Sequence, residues 1–352
     1  MSRELKFFEA IREATDLCLA KDPNVYVVGL GVPDPKGIFG TTSGLAEKYG
    51  SQRILDMPTS ESAMTGVAIG SALVGMRPIL THQRLDFALY SMDQIVNHAA
   101  KWSYMFGGKV KIPLVIRMIV GRGWGQGPQH SQSLQAWFAH VPGLKVVMPA
   151  TPHDAKGLLI ASIEDENPVI FIEHRWLHNI SGSVPEGIYR VPLGQARIIR
   201  EGKDVTIAAT SYMTLEAMRA ADLLAQQEIE AEVIDVRSLK PLDDQLILES
   251  VRKTGRFIAA DTGWRTAGFS AELVARVAEE VLSELKCPSR RVTLPDCPTP
   301  ATPALANDYY PRAIHIVATT LKMLGRNIND ALFQASGSTP LDIPDMGFRG
   351  PF

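Results

Sequence analysis

Cysteine is scarce in this sequence, and neither sign of charge dominates it. The 352 residues include three widely spaced cysteines with no C-x-x-C pair, which argues against a disulfide framework or a structural zinc site. We therefore expect a reducing compartment and a cytoplasmic protein. Lys and Arg number 36 against 38 Asp and Glu, a net charge of −2. Without a polybasic surface, nucleic acid and anionic membranes are not expected as partners.

Long hydrophobic runs are also missing. No uninterrupted apolar stretch reaches the roughly 18 residues of a membrane-spanning helix, and no leader with charged, apolar and small-residue regions opens the chain. Neither membrane insertion nor export is predicted. What is present is ordinary for a globular protein, since 45% of the residues are hydrophobic and 21% are charged. The length is sufficient for two domains with separate cores.

Short apolar runs alternate with helical patterns along most of the chain, which predicts an α/β fold. A first α/β unit is predicted over residues 1–180, including a long amphipathic helix over 89–106. A Ser-, Gly- and Pro-rich stretch, 181–199, is interpreted as a linker, and a second α/β unit follows over 200–325. Residues 326–352 lack a clear period and are predicted to form an extended tail.

A glutamate at the start of a small-residue helix is the first candidate for chemistry. Pro58 favours an extended approach, Ser60 suits an N-cap, and Glu61 then falls in the first turn of a helix that is apolar or small to about residue 75. A charge on such a helix suggests a function. The structural alternative is that an acid in the first turn interacts favourably with the helix dipole, by about 0.3–1 kcal/mol.

The second candidate is a glycine-rich loop over 121–133 that contains Arg122 and His130. Glycine lets a backbone approach a ligand closely, and α/β proteins carry much of their chemistry on such loops. Arginine suits phosphate or carboxylate recognition, and we consider Arg84 and Arg122 for that role. The alternative for both is a structural ion pair.

Several spaced motifs resemble one family. Asp56–Glu61, read D-M-P-T-S-E, is similar to the pyrimidine-binding region of thiamine-diphosphate enzymes, specifically the β subunit of the 2-oxoacid dehydrogenase first component, of pyruvate or branched-chain type. Gln129–Ser133 and Asp235–Asp243 match the same family in the same order. The resemblance implies a pyrimidine-binding, transketolase-like domain, with a mostly parallel sheet and helices on both faces. A transketolase C-terminal α/β domain follows it.

The resemblance also implies roles for individual residues. Glu61 would hold a proton on N1′ of the cofactor's aminopyrimidine, which is acid–base work. Phe87 falls where the family stacks an aromatic ring on the aminopyrimidine, although a buried core phenylalanine is the alternative. His130 would bind the substrate carboxylate or transfer a proton.

A potassium ion held by backbone carbonyls is a further implication. The residues concerned are Leu114, Ser162, Ile163, Asp165 and Asn167. An ordinary Asn-Pro helix stop explains the same segment equally well, because carbonyl ligands barely constrain side chains.

One absence bears directly on function. The chain has no G-D-G followed some 25–30 residues later by N-N, the family motif for magnesium and diphosphate. The resemblance then implies a separate α subunit that holds magnesium, an α2β2 assembly, and acyl transfer to a lipoyl group of an acyltransferase core.

Two departures favour an alternative. Leu30 stands where many family members have an acid near the cofactor, and Arg84, Arg122 and Trp124 are unusually polar or bulky for a small aliphatic substrate. The alternative is a split transketolase-like enzyme acting on a sugar or sugar-like substrate. A non-catalytic scaffolding subunit of the same fold is the third hypothesis, and the presence of both Glu61 and His130 argues against it.

Overall fold

A computed structural model of the protein describes residues 2–122, 125–327 and 340–344, with two α/β units that confirm the predicted fold class. Each unit is formed by three segments that are not consecutive in the sequence. The first contains the described residues of Met1–Val120, Trp137–Leu193 and Leu239–Pro241, and the second those of Gly121–Ala136, Gly194–Ser238 and Leu242–Phe352. The glycine-rich loop therefore belongs to the second unit, although the sequence analysis placed it within an uninterrupted first unit.

The strands of the chain alternate with helices, as predicted. In chain order they are β1 (Ser2–Lys6), β2 (Val25–Val28), β3 (Ile54–Leu55), β4 (Arg77–His82), β5 (Val115–Val120), β6 (Lys145–Val147), β7 (Val169–His174), β8 (Ser181–Pro185), β9 (Arg197–Arg200), β10 (Val205–Ala209), β11 (Ala231–Asp235), β12 (Ser238–Lys240), β13 (Phe257–Trp264) and β14 (Arg290–Leu294).

The α-helices, in chain order, are α1 (Phe7–Lys21), α2 (Leu45–Tyr49), α3 (Glu61–Leu73), α4 (Leu85–Ala88), α5 (Trp102–Met105), α6 (Gln135–His140), α7 (Pro152–Glu164), α8 (Tyr212–Ala225), α9 (Asp244–Thr254), α10 (Phe269–Val281), α11 (Pro303–Ala306) and α12 (Ala313–Met323). None of the helices within the described residues is both long and apolar enough to cross a membrane.

The first unit is built on a seven-stranded sheet in the order β12-β6-β7-β5-β4-β2-β3. The pairs from β6 through β3 are parallel. Every residue of β5 and β7 is buried, which explains their nearly continuous apolar sequences, since a parallel sheet is covered on both faces. The carboxyl ends of β2 and β4 lead into the segments that carry Leu30, Gln83 and Phe87.

The segment predicted as a long amphipathic helix, 89–106, is helical but not a regular α-helix. The segment consists of a 3₁₀ turn at Leu89–Ser91, a π-helical turn at Gln94–Ala99 and α5. The segment contacts α3, where Thr65 donates a hydrogen bond to the Ser91 hydroxyl (2.9 Å). A tertiary contact of this kind leaves no trace in the helical periodicity of the segment itself.

The segment predicted as a linker, 181–199, has regular structure at both ends. It begins with β8, which pairs antiparallel with β1, and it ends inside β9. The sequence of β8, S-G-S-V-P, has little strand propensity, so pairing with a distant segment decides its conformation.

The second unit contains a five-stranded sheet in the order β14-β13-β10-β11-β9, with β9 as an antiparallel edge. Its helices α8 and α12 pack on the core around β10 and β11. Most of the predicted tail over 326–352 lies outside the described residues. Residues 340–344 are bound to this unit, because Arg312 donates to the carbonyls of Leu341 (2.9 Å) and Ile343 (2.7 Å).

Candidate functional site

Glu61 is the first residue of α3, and its carboxylate is nearly buried. Ser60 occupies the N-cap position with a non-helical backbone, but its side chain makes no capping hydrogen bond. Glu61 is 9% exposed. In the part of the chain that the structure describes, no protein group forms a hydrogen bond with this carboxylate. Since buried carboxylates normally have partners, the arrangement leaves Glu61 available to a ligand.

The approach to Glu61 is held by Asp56. One carboxylate oxygen, Oδ1, accepts hydrogen bonds from the backbone nitrogens of Met57 and Gly31, each at 2.9 Å. This joins the segment before α3 to the loop after β2. Gly31 has a φ of 72°, in the left-handed region that favours glycine. The sequence analysis included Asp56 in a motif and did not identify this positioning role.

A cavity of about 780 Å³ opens beside Glu61. The residues that line it are Leu30, Thr59, Ser60, Glu61, Ser62, Ala63, Gln83, Phe87 and Tyr90. Phe87 lies half-buried on α4, and Gln83 donates a hydrogen bond to the carbonyl oxygen of Leu30 (3.0 Å). The structure thus brings together Glu61, Phe87 and Leu30. Gln83 and Tyr90 were missed, because no motif marks them.

The Arg84 side chain is buried and packs against an aromatic ring. It is 2% exposed, and its guanidinium lies over the Phe39 ring at 5.3 Å. Arg175 approaches the same ring at 4.7 Å. The described residues that line the Glu61 cavity do not include Arg84. Of the two roles considered for Arg84, this arrangement favours structure over substrate recognition.

The Arg122 side chain is also buried and has partners within the protein. Its guanidinium forms a buried ion pair with Asp342 and donates to the carbonyl of Ala301 (2.8 Å). Arg122 is 2% exposed, so the structural ion pair that the sequence analysis left open is the arrangement observed. Trp124, the remaining bulky residue of this loop, lies outside the described residues.

His130 is half-buried and belongs to the second unit, whereas Glu61 and Phe87 belong to the first. Its backbone nitrogen donates to the carbonyl of Gly127 (3.2 Å). The helix α6 begins two residues after the loop, at Gln135, whose side-chain amide donates to Asp261 (2.8 Å) in the interior of the second unit. Burial raises the pKa of Asp261, against the hydrogen bonds from Thr210 and Gln135. This buried polar network holds the end of the loop that carries His130.

Four of the five carbonyls assigned to potassium accept hydrogen bonds within the protein. Arg77 Nη1 donates to the carbonyls of Ile163 (3.0 Å) and Asp165 (3.2 Å). The carbonyl of Leu114 accepts from the Val169 nitrogen (2.9 Å), and that of Ser162 accepts from the Asp165 nitrogen (3.3 Å). A guanidinium thus contacts two of the five carbonyls that the resemblance assigns to an ion, and this arrangement does not fit the potassium prediction. The described residues contain no group of three or more His, Cys, Asp or Glu arranged to hold a metal.

Fully buried charges lie within the first unit. Arg117 Nε donates to Glu173 Oε1 (2.7 Å), and His178 Nε2 is 3.2 Å from Glu173 Oε2. Neither Arg117 nor Glu173 has any exposed side-chain surface. Burial raises the pKa of Glu173, but Arg117 and His178 outweigh it and hold that pKa below its usual range.

Three buried histidines are expected to make stability depend on pH. Burial lowers the pKa of His82 to about 4, of His174 to about 3 and of His178 to about 4, from 6.5. Between these values the unfolded chain binds more protons than the folded chain, so stability is complete above pH 6.5 and decreases as pH falls toward 4. Urea denaturation should show a slope of roughly 1.4 kcal/mol per pH unit for each histidine.

A surface histidine provides the control for this pH dependence. The side chain of His98 is 39% exposed, and replacing it with Gln should leave the slope unchanged. Stability that does not vary from about pH 7 to about pH 5 would contradict the expectation, because the three histidines would then titrate alike in the folded and unfolded chain.

Comparison with known proteins matches two family domains to this chain. Residues 3–179 match the family described as transketolase, pyrimidine binding domain, and residues 194–316 match transketolase, C-terminal domain. Acetoin:2,6-dichlorophenolindophenol oxidoreductase subunit beta of Cupriavidus necator is 45% identical over 334 residues, which are 92% of this chain and 98% of that protein.

Two further relatives broaden the comparison. Pyruvate dehydrogenase E1 component subunit beta-2, mitochondrial, of Oryza sativa subsp. japonica is 40% identical over 320 residues, which are 90% of this chain and 85% of that protein. A solved structure titled split gene transketolase, inactive beta4 tetramer, has a TM-score of 0.74 and 28% identity, covering 91% of this chain and 99% of that chain. With both domain matches and this identity over nearly the whole chain, the protein belongs to the transketolase-type family, among the β subunits of pyruvate and acetoin dehydrogenases.

Proposed function

We propose that this chain supplies the pyrimidine-binding half of a thiamine-diphosphate site and completes that site with a separate α subunit. Its family membership makes the chain a β-type component of an oxidoreductase. The observation that carries the proposal is the Glu61 carboxylate, nearly buried beside a cavity of about 780 Å³ and without a hydrogen-bond partner among the described residues.

The residues around the cavity suit an aminopyrimidine ring. Phe87 provides an aromatic face for stacking, Leu30 provides an apolar contact, and Glu61 provides a carboxyl group for a ring nitrogen. Bound thiamine diphosphate would supply a thiazolium carbon that acts as nucleophile and electron sink toward a carbonyl substrate. Glu61 would hold a proton at N1′ of the ring, and its low exposure would keep water from competing for that hydrogen bond.

The proposed substrate is a small 2-oxoacid of the pyruvate type, which would be decarboxylated. The names of the relatives carry both pyruvate and acetoin. In both compounds the carbon–carbon bond that breaks is attached to the carbonyl carbon. The same cofactor chemistry would therefore act on either compound. We assign substrate binding or proton transfer to His130, on the loop held by Gln135. A lipoyl group of an acyltransferase core is the proposed acceptor.

A separate α subunit is part of the proposal because the sequence lacks the magnesium and diphosphate motif. We propose an α2β2 assembly in which the α subunit holds both. The solved relative supports this need for a partner, since its title describes a β4 tetramer as inactive. A cytoplasmic location stays a prediction, and some relatives are named as mitochondrial proteins.

Calorimetry tests the half-site directly. With magnesium present, the chain alone should show no measurable binding of thiamine diphosphate, and binding should appear once the co-purifying α subunit is added. The reason is that the diphosphate carries most of the charge to be neutralised, and this chain lacks the motif for it. Within the assembled pair, Phe87→Ala should weaken binding by losing a stacking contact of roughly 0.5–1.5 kcal/mol beyond its buried area.

A matched variant shows whether that loss belongs to the cavity. Phe106 is a half-exposed aromatic that does not line it, and Phe106→Ala should leave the affinity unchanged. Tight binding of thiamine diphosphate by the isolated chain would contradict the half-site, and an unchanged affinity in Phe87→Ala would remove Phe87 from it.

The split transketolase-like enzyme is a second candidate because of the solved relative with that title. A sugar phosphate would need accessible cationic groups, and the two arginines considered for this role, Arg84 and Arg122, are each 2% exposed. Their burial weakens the argument that favoured this candidate on the sequence, which then rests on the Leu30 departure, Trp124 and the fold.

A further inference from the structure

A side-chain cation lies at the C-terminal end of α7. Arg77, the first residue of β4, directs Nη1 at the carbonyls of Ile163 (3.0 Å) and Asp165 (3.2 Å), and its side chain is 22% exposed. The last carbonyls of a helix have no partner within the helix and carry the negative end of its dipole. The guanidinium therefore satisfies two carbonyl oxygens and places a positive charge where the helix favours one.

Acidic side chains surround the same guanidinium. Arg77 pairs with Glu166 through Nη2, and its Nε lies 3.8 Å from Asp22 Oδ2. Lys111 Nζ is 3.0 Å from the other oxygen of Glu166. Hydrogen bonds from Lys111 and Arg77 together hold the pKa of Glu166 below its usual range. Two carbonyls and two carboxylates thus face one guanidinium, a set of oxygens that would otherwise attract a metal cation.

A cavity of about 200 Å³ adjoins this cluster, lined in part by Asp22, Arg77 and Ile163. It could admit an ion with its water. Removing the guanidinium would enlarge this space, and the oxygens belong to other elements: Ile163 lies in α7, Asp165 directly follows α7, and Asp22 directly follows α1.

We propose that the Arg77 guanidinium takes the place of a monovalent cation at the end of α7. The folded chain is then independent of potassium, and the α7 end is a latent cation site that opens when the guanidinium is removed. This role also explains why β4 begins with a long cationic side chain, because a neutral residue would remove the hydrogen bonds to the Ile163 and Asp165 carbonyls and leave Lys111 as the remaining cation beside Glu166.

Thermal unfolding of the purified full-length chain tests the proposal. Measured in potassium, sodium or choline chloride at equal ionic strength, the wild-type midpoint should not depend on the cation. The midpoint of Arg77→Ala should be lower in choline and should rise in potassium. An ion present at 100 times its dissociation constant would raise the midpoint of the first unit, which contains Arg77, by roughly 5–10 °C.

Two further variants separate this role from ordinary loss of an ion pair. Arg77→Lys keeps a positive charge, so its midpoint should not respond to potassium. Lys111→Met removes a cation that also pairs with Glu166 but that makes no hydrogen bond to either carbonyl, and its midpoint should be equally indifferent.

Two outcomes would overturn the proposal. Saturable, potassium-specific stabilisation of the wild-type chain would show that an ion binds beside the guanidinium. A lower midpoint for Arg77→Ala with no recovery in potassium or sodium would show that the carbonyls accept no free cation and that Arg77 contributes only an ion pair. The wild-type measurement needs no destabilised protein, so it can overturn the proposal even if Arg77→Ala fails to fold.

Discussion

Glu61→Gln is expected to leave the chain folded while lowering turnover of the assembled enzyme by about 10²–10⁴-fold, the usual contribution of a positioned acid–base group. Glutamine preserves the size and shape of the side chain, but its amide group cannot hold and release a proton as a carboxyl group does. The effect should appear in kcat, because the lost interaction acts on cofactor activation more than on substrate binding.

Steady-state kinetics of the assembled enzyme measures this loss, and circular dichroism of the variant checks the fold. Glu47 provides a matched control, since it is an exposed acid in the first turn of α2 and lies outside the Glu61 cavity. Glu47→Gln should retain full turnover and change stability by no more than the roughly 0.3–1 kcal/mol of a helix-dipole interaction. Near-normal turnover of Glu61→Gln would contradict the assignment of Glu61 as the activating acid.

Glu173→Gln is expected to cost about 3–5 kcal/mol of folding stability, because it leaves Arg117 as an uncompensated buried charge. Both side chains of this pair are completely buried, and the hydrogen bond between Arg117 Nε and Glu173 Oε1 is 2.7 Å long. Urea denaturation of the full-length chain measures the loss as a lower unfolding midpoint of the first unit.

A double variant distinguishes the charge from the packing. Arg117→Met combined with Glu173→Gln removes both charges, and it should be more stable than Glu173→Gln alone. The exposed pair Arg276–Glu272 provides the comparison, and Glu272→Gln should change stability by no more than about 0.5 kcal/mol. A loss from Glu173→Gln as small as that of the exposed pair would show that the buried pair contributes little.

The sequence and the family resemblance together named much of the candidate site. Glu61 lies in a short motif, Phe87 was implied by the resemblance, Leu30 was noted as a departure from the family pattern, and all three line one cavity. Gln83 and Tyr90 line it as well, but a polar or aromatic residue after a strand is too common to be singled out without coordinates. The burial of Arg84 and Arg122 was equally invisible, because Arg122 pairs with Asp342, 220 positions away.

The sequence by itself determined the α/β class, the order of strands and helices, and the acid at the start of α3, since apolar periodicity, helix signals and a local motif need only neighbouring residues. Tertiary structure alone decided the rest. The pairing of β8 with β1, the broken helical segment packed on α3, and the carbonyls that accept hydrogen bonds from Arg77 all depend on residues far apart in the chain. Such contacts form only when the folded backbone brings distant groups together, and local patterns do not encode which groups those will be.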